Sequence, residues 1–143
     1  MVKKIGRYGY LGVAGLFIAG LMTQVYFVGL SLLGRRPSWE DHVGLGHGLG
    51  ILALLLVILV YVGQQPRGLK GLTWATFAVY ILLADVVIFM RDSLPLVAAL
   101  HPVLAITLFG LMVTVTIQAW RTAREENMVT VAPSPEAAQE IPA

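Results

Sequence analysis

Histidines near the start of two apolar segments are the side chains whose type and spacing suggest cofactor binding. His47 lies in "DHVGLGHGLG", which runs into "ILALLLVILVYV", and His101 lies in "AALHPVLAITLFG". Two neutral imidazoles at matched depth on parallel helices can meet in a bundle core, where cofactor ligands are built from facing helices. Two imidazole ligands in apolar surroundings suit a six-coordinate b-type haem. The spacing therefore predicts a haem held by His47 and His101.

His42 is the alternative partner of His101. It lies five residues before His47, which is about 140° around a helix, so the two histidines cannot face the same neighbour. We expect His42 to be wetted at the membrane boundary and His47 to lie about a turn deeper. The sequence leaves open which of the two faces His101.

Glycines and arginines accompany these histidines. Gly44 and Gly48 leave space beside His47, either for close packing of a neighbouring helix or for a flat macrocycle. A haem near this end of the spans also needs partners for its propionates, and arginine suits bidentate contacts with carboxylates. The arginines in the adjoining loops, for which interfacial anchoring is the alternative role, are Arg35, Arg36 and Arg91.

Asp85 and Gln24 are polar residues inside apolar segments. A charged side chain at the centre of a bilayer costs about 2.5–3.5 kcal/mol on insertion scales, so we expect Asp85 to face the interior. Gln24 is expected at a similar depth. We interpret the two either as a hydrogen-bonded contact between helices or as a proton-handling acid and a polar floor beneath a cofactor.

The composition indicates which elements must position these residues. The chain has 143 residues, is 57% hydrophobic and 13% charged, and has a mean hydropathy of +0.79. A soluble domain of this size carries many more charges. Four apolar segments exceed or approach the roughly 20 helical residues that cross a bilayer. The sequence predicts an all-α, integral membrane four-helix bundle in residues 1–124, with spans at 8–33, 43–62, 72–90 and 96–120.

Basic residues predict the orientation of the bundle. Seven lysines and arginines flank the spans on the side of both termini and three lie on the other side (Arg35, Arg36 and Arg91). Because cytoplasmic loops are enriched in these residues, we expect both termini in the cytoplasm and a bacterial inner (cytoplasmic) membrane location. The tail 125–143, "EENMVTVAPSPEAAQEIPA", is rich in Pro, Ala and Glu and is predicted to be disordered.

Other functional classes lack support in the sequence. The chain has no cysteine, which excludes disulfides, thiolate zinc sites, iron–sulfur clusters and covalently attached haem. Its basic residues lie mainly at segment ends rather than in a patch, so nucleic-acid binding is not expected. No Ser/His/Asp set, HExxH or phosphate-binding loop occurs. We therefore expect no enzyme activity from the chain on its own.

Three motifs resemble known families. "QVYFVGL" (Gln24–Leu30), "HVGLGHGLG" (His42–Gly50) and "ALHPVLAITLFG" (Ala99–Gly110) resemble an uncharacterised family of small bacterial four-helix membrane proteins of unknown function. More loosely, "WEDHVGLGHGLG" and "LHPVLA" look like one four-helix half of haem A synthase. That resemblance implies histidine ligands at the outer ends of the second and fourth helices, and it carries over to His101 and to either His47 or His42. A single half implies a single haem.

Three functional hypotheses follow. The first is a membrane-bound, cytochrome b-like subunit that holds one haem b between the second and fourth helices, near the outer face, and transfers electrons within a larger redox complex. The alternative is a non-catalytic membrane subunit that stabilises or assembles a respiratory or photosynthetic complex, with no cofactor or with a chlorophyll-type pigment. A proton carrier built on Asp85 is a third, weaker interpretation, because no broken helix accompanies the acid.

Overall fold

The computed structural model describes residues 1–36 and 39–131, with side chains through residue 125, and the regular elements in these residues are all helices. They are α1 (Val2–Leu32), α2 (Trp39–Val62), α3 (Arg67–Ile81), α4 (Val87–Phe89), α5 (Pro95–Ala98) and α6 (His101–Val131). A π-helical turn, Leu82–Val86, joins α3 to α4.

Four helical segments are long and apolar enough to cross a membrane. They are Val2–Leu32, Trp39–Val62, Arg67–Phe89 and Pro95–Glu125. The predicted all-α class with four membrane helices is therefore confirmed. The helices begin before the predicted spans, because backbone hydrogen bonding continues from the apolar run into its polar flanks.

Local sequence explains several helix ends. Glu40 and Asp41 lie in the first turn of α2, where negative charge interacts favourably with the positive end of the helix dipole. Pro95 occupies the first turn of α5, where the missing backbone N–H loses no helical hydrogen bond. Gly34 follows α1 with a φ of 65°, a left-handed conformation that glycine adopts without steric cost.

The helices form a ring in which each long helix packs against two neighbours. α1 packs on α2 and α6, and α3 packs on the same two helices, so α2 and α6 lie on a diagonal. Neighbours are antiparallel, which makes α2 and α6 parallel. We call the end at which α2 and α6 begin the histidine end.

Polar contacts and small residues hold the opposite end together. The Arg7 guanidinium donates to the carbonyl oxygens of Gly63, at 3.0 Å, and Thr122, at 3.4 Å. A Cβ added to Gly6 would lie 2.5 Å from the backbone nitrogen of Gly63. These contacts bring the start of α1, the end of α2 and the later part of α6 to one end of the bundle.

The core lies between these two ends. Phe17 and Tyr80 meet edge to face with ring centroids 6.0 Å apart. Tyr10 and Thr73, both buried, form a hydrogen bond of 2.6 Å between their hydroxyl groups. Thr73 donates its own proton to the carbonyl oxygen of Leu69, so Tyr10 is the donor to Thr73.

Helix α6 continues past the end of the fourth predicted span. It reaches Val131, so the first residues of the segment predicted to be disordered are helical. Residues 132–143 of that segment lie outside the described residues.

Candidate site at the histidine end

His42 and His101 face each other at the histidine end of the bundle. Their ring centroids lie 6.2 Å apart with an interplanar angle of 61°. His42 is in the first turn of α2 and His101 is the first residue of α6. Because these helices are parallel and lie on the diagonal, the two rings meet across the bundle rather than along one interface.

The backbone of α1 orients His42. Its Nδ1 lies 3.2 Å from the carbonyl oxygen of Gln24, and a carbonyl can only accept, so Nδ1 carries the proton. When the ring is neutral, Nε2 then carries the lone pair and can act as a ligand. A hydrogen bond from the second ring nitrogen to a backbone carbonyl is the usual way in which a metal-binding histidine is oriented.

Trp39 supports the other side of His42. The two rings stack with centroids 4.8 Å apart and an interplanar angle of 21°. Trp39 precedes His42 by three residues, a spacing that places two side chains on one face of a helix. The spacing of Trp39 and His42 along the sequence is therefore a signal for this contact.

Buried polar atoms without partners surround the histidine pair. Nδ1 of His101 and both side-chain amide atoms of Gln24 are buried and make no hydrogen bond of ordinary geometry. Gln24 is 8% exposed, and its side-chain nitrogen approaches Gly46, one turn along α2 from His42. Leaving such groups unsatisfied costs about 1–3 kcal/mol each, so buried atoms of this kind are expected to hydrogen-bond ordered water or a bound group.

His47 does not take part in this pair, contrary to the sequence-based expectation. It is exposed on the outside of α2, and its Nδ1–H donates to the carbonyl oxygen of Val43 at 3.0 Å. The interior face of α2 instead includes His42, Gly46 and Leu49, spaced by three and four residues. The predicted helical separation of His42 and His47 was sound, but it is His42 that faces inward.

The glycines of α2 also lie on two different faces, one exposed and one interior. Gly44 and Gly48, expected to give clearance at the site, are exposed, and a Cβ added to either would meet no atom within 4 Å. Gly50 faces the interior, where an added Cβ would lie 2.7 Å from the Tyr80 hydroxyl oxygen. That hydroxyl donates to the carbonyl oxygen of Gly46 at 3.0 Å. Tyr80 thus braces α2 beneath the site.

The three candidate arginines lie in the loops at the histidine end. Arg35, Arg36 and Arg91 are all exposed, and Arg91 pairs with Asp92 at 3.5 Å. In the part of the chain that the structure describes, no hydrogen bond or ion pair joins these arginines to His42 or His101. Their position provides positive charge around the mouth of the site, without a fixed contact to its centre.

Asp85 does not face the interior, and this expectation is corrected. It is exposed and forms no hydrogen bond or ion pair within the described residues, Gln24 included. Tyr80, Leu83 and Val87 are buried and occupy the inner face of this span. Their spacing of three and four residues leaves Asp85 on the outer face, in the π-helical turn.

The two imidazoles could serve as axial ligands but not as a complete site for a bare metal ion. Within the described residues no group of three or more His, Cys, Asp or Glu side chains could hold a metal ion. A structural or catalytic zinc takes at least three protein ligands. A haem brings four ligands of its own and requires only two from the protein.

The fold and this site define a polytopic four-helix membrane protein with a paired-histidine centre. A model of a family described as "Family of unknown function (DUF6220)" matches residues 24–87. The predicted resemblance to an uncharacterised family is confirmed over this segment, which includes Gln24, His42 and Asp85 but ends before His101. Neither the curated proteins nor the solved structures yield a match.

Proposed function

We propose that this chain is a membrane-bound, cytochrome b-like subunit that holds one haem b at the histidine end and transfers electrons within a larger redox complex. His42 and His101 are the residues that would hold it. The facing of these two rings across the bundle diagonal, 6.2 Å apart, is the observation that carries the proposal.

The donor set supports haem in three ways. Both candidate ligands are imidazoles, and His42 has its Nδ1 proton directed to a carbonyl so that Nε2 is free. The ring centroids of His42 and His101 lie 6.2 Å apart, close enough that one bound group could be held by both imidazoles. Both histidines are only half-buried, so the end of the bundle offers a route of entry for a macrocycle.

The protein's own residues would position and shield the cofactor. Gln24 and Trp39 fix the His42 ring, while the Gln24 amide is available to hydrogen-bond a polar substituent. Arg35, Arg36 and Arg91 could neutralise carboxylates at the mouth of the site. A haem held by two histidines would supply one-electron transfer.

Orientation and location form part of the same proposal. Both ends of the described chain lie at the end opposite the histidines. The distribution of lysine and arginine favours the cytoplasm for that end. The haem would then lie near the outer face of a bacterial inner membrane, within reach of a redox partner on that side.

The test is an optical spectrum of the purified full chain. We expect a reduced-minus-oxidised spectrum with a b-type α band and a ratio near one haem per chain. His101→Ala should abolish the band while the protein still inserts and folds. A colourless protein that has been supplied with haem during expression would contradict the proposal and favour the alternative, a non-catalytic membrane subunit. A pigment extract with chlorophyll-type absorption would favour a light-harvesting or assembly role.

A further inference from the structure

Two side chains capable of carrying charge lie on the outer surface of the spans, where lipid would otherwise surround them. Asp85 is exposed, and it makes no hydrogen bond or ion pair within the described residues. His47 is exposed, and among the described residues its ring bonds only to the carbonyl of Val43 on its own helix, which leaves Nε2 free. Ionisable residues inside membrane spans almost always face a bundle interior or pair with one another. Their exposure therefore indicates a surface that another polypeptide covers.

Both residues belong to one flank of the bundle. At the opposite end, the indole N–H of Trp74 on α3 donates to the Tyr61 hydroxyl on α2 at 3.0 Å, and both side chains are about half exposed. Asp85 follows Trp74 by about three helical turns, so it lies on the same side of its helix even though the π-helical turn Leu82–Val86 lowers the rotation per residue there. At 100° per residue, His47 lies within about 40° of Tyr61 on α2. We call this surface, which comprises His47, Ile51, Tyr61, Trp74 and Asp85, the α2–α3 flank.

The two residues also lie at a similar depth. The Tyr80 hydroxyl contacts the carbonyl oxygens of Gly46 and His47, at 3.0 and 3.5 Å, which aligns this part of α3 with His47. Asp85 follows Tyr80 by about 7–8 Å along the axis. Side chains tilt toward the N-terminus of their own helix, so in this antiparallel pair the imidazole and the carboxylate lean toward a common level.

We propose that the α2–α3 flank binds the same flank of a second copy of this chain. A two-fold axis along the bundle preserves depth, so His47 of each copy meets Asp85 of the other in two reciprocal pairs. His47 Nδ1–H stays bonded to Val43, and its Nε2 carries the proton that the carboxylate accepts. The flank thus contains both members of the charge pair, which is the complementarity that a symmetric interface requires.

Small residues beside His47 permit close approach of the two copies. Gly44 and Gly48 are exposed with open space where a side chain would lie, and small residues four apart allow membrane helices to pack closely. The neighbouring Ile51, 68% exposed, provides apolar contact area. This interface is separate from the paired histidines and does not depend on haem.

Exchange of the charges between copies tests the proposal. Full-length chains with two different tags are co-expressed, and recovery of one tag with the other is measured. We expect His47→Asp alone and Asp85→His alone to lower self-association roughly tenfold. Mixing these two variants should restore association, because the heterodimer regains both His–Asp pairs. A pair formed within one chain could not be restored by mixing.

Neutral variants and a distance measurement keep the test independent of charge-induced misfolding. His47→Gln and Asp85→Asn should each weaken association, whereas Asp92→Asn, in an exposed loop, should not. Because the chain lacks cysteine, single fluorophores can be attached at Ile51→Cys or, as the control on α6, Ile106→Cys. Energy transfer between copies in liposomes should be stronger from position 51.

Three results would overturn the inference. They are a monomeric protein at all protein-to-lipid ratios, equal energy transfer from positions 51 and 106, and failure of the mixed variants to recover association when each is inserted. A different membrane protein that occupies the flank would likewise exclude the second copy as its partner. Loss of dimerisation with an intact haem spectrum, or the reverse, separates this inference from the proposed function.

Discussion

His42 and His101 are 59 positions apart in the sequence, yet their rings lie 6.2 Å apart across the diagonal of the bundle. Their helices are diagonal, and each packs mainly against α1 and α3. The separation of the two rings is therefore set by the two intervening helices, with Gln24 of α1 fixing His42 directly. This relationship underlies the proposed function.

The choice between His42 and His47 as ligand can be decided with two substitutions on one helix. We expect His42→Ala to lower haem occupancy by more than about tenfold, since loss of even an outer-shell partner costs 10–100-fold. His47→Ala should leave occupancy unchanged, because the imidazole lies on the outer surface. Haem per chain is measured on protein purified from membranes. Equal loss in the two variants, or loss in His47→Ala alone, would refute the assignment of His42.

The hydrogen bond between Tyr10 and Thr73 predicts that removing its acceptor costs more unfolding free energy than removing its donor. Tyr10 is fully buried. Thr73→Val therefore leaves the Tyr10 hydroxyl in the core without its hydrogen-bond acceptor. We expect a cost of about 1–3 kcal/mol in the free energy of unfolding. Tyr10→Phe should cost only about 0.5–1.5 kcal/mol, because Thr73 still donates to Leu69.

Unfolding titrations from mixed micelles into SDS measure both variants and the double variant. The double variant should be less destabilised than the sum of the two single variants. Strict additivity would show that the two hydroxyl groups do not interact.

Gly6 provides a test of the close contact between α1 and the end of α2. A Cβ at this position would lie 2.5 Å from the Gly63 backbone nitrogen, an atom that cannot move without displacing the helix end. We expect Gly6→Ala to destabilise the bundle by about 1–3 kcal/mol. Gly12→Ala, on the same helix, meets no atom within 4 Å and should be neutral or slightly stabilising, since alanine favours helix. The same SDS titration compares them, and equal stability would place α1 further from Gly63.

Arg7 should contribute to stability through its shape as well as its charge. Its Nε–H donates to the Gly63 carbonyl, and the residue is only 7% exposed. Arg7→Ala is expected to lower the free energy of unfolding by about 1–3 kcal/mol. Arg7→Lys should recover only part of the loss, because an ammonium group does not reproduce the guanidinium fork. Lys4→Ala, an exposed neighbour, is the control, and an equal effect of Lys4→Ala would argue against a specific role for Arg7.

Much of the architecture could be predicted from hydrophobic content alone. Apolar runs long enough to cross a bilayer specify membrane helices, because unpaired backbone groups in lipid cost several kcal/mol each. Helix ends were less predictable. α2 begins at Trp39 rather than near Val43, since polar residues at the membrane boundary continue a helix as readily as apolar ones. That shift places His42 within the first turn.

The site was predicted in kind but not in detail. The sequence identified histidines at the start of the second and fourth helices, and it showed that His42 and His47 must point in different directions. The sequence did not predict the rotation of α2 about its own axis. Nearly every face of this helix is apolar, so no polar stripe marks the outer side as it would in a soluble bundle. Packing of Gly50 on Tyr80 and of Leu49 on Gly20 sets the rotation.

By itself, therefore, the sequence determined the membrane-spanning all-α class, the number of spans and the small set of residues able to act as ligands, because composition and helical period suffice for these. The tertiary structure decided that His42 rather than His47 faces His101, that Gly50 rather than Gly48 provides interior clearance, and that Asp85 lies on the outer surface. These outcomes depend on how each helix is rotated about its axis. In an apolar bundle that rotation is fixed by steric fit between helices, which no single segment encodes.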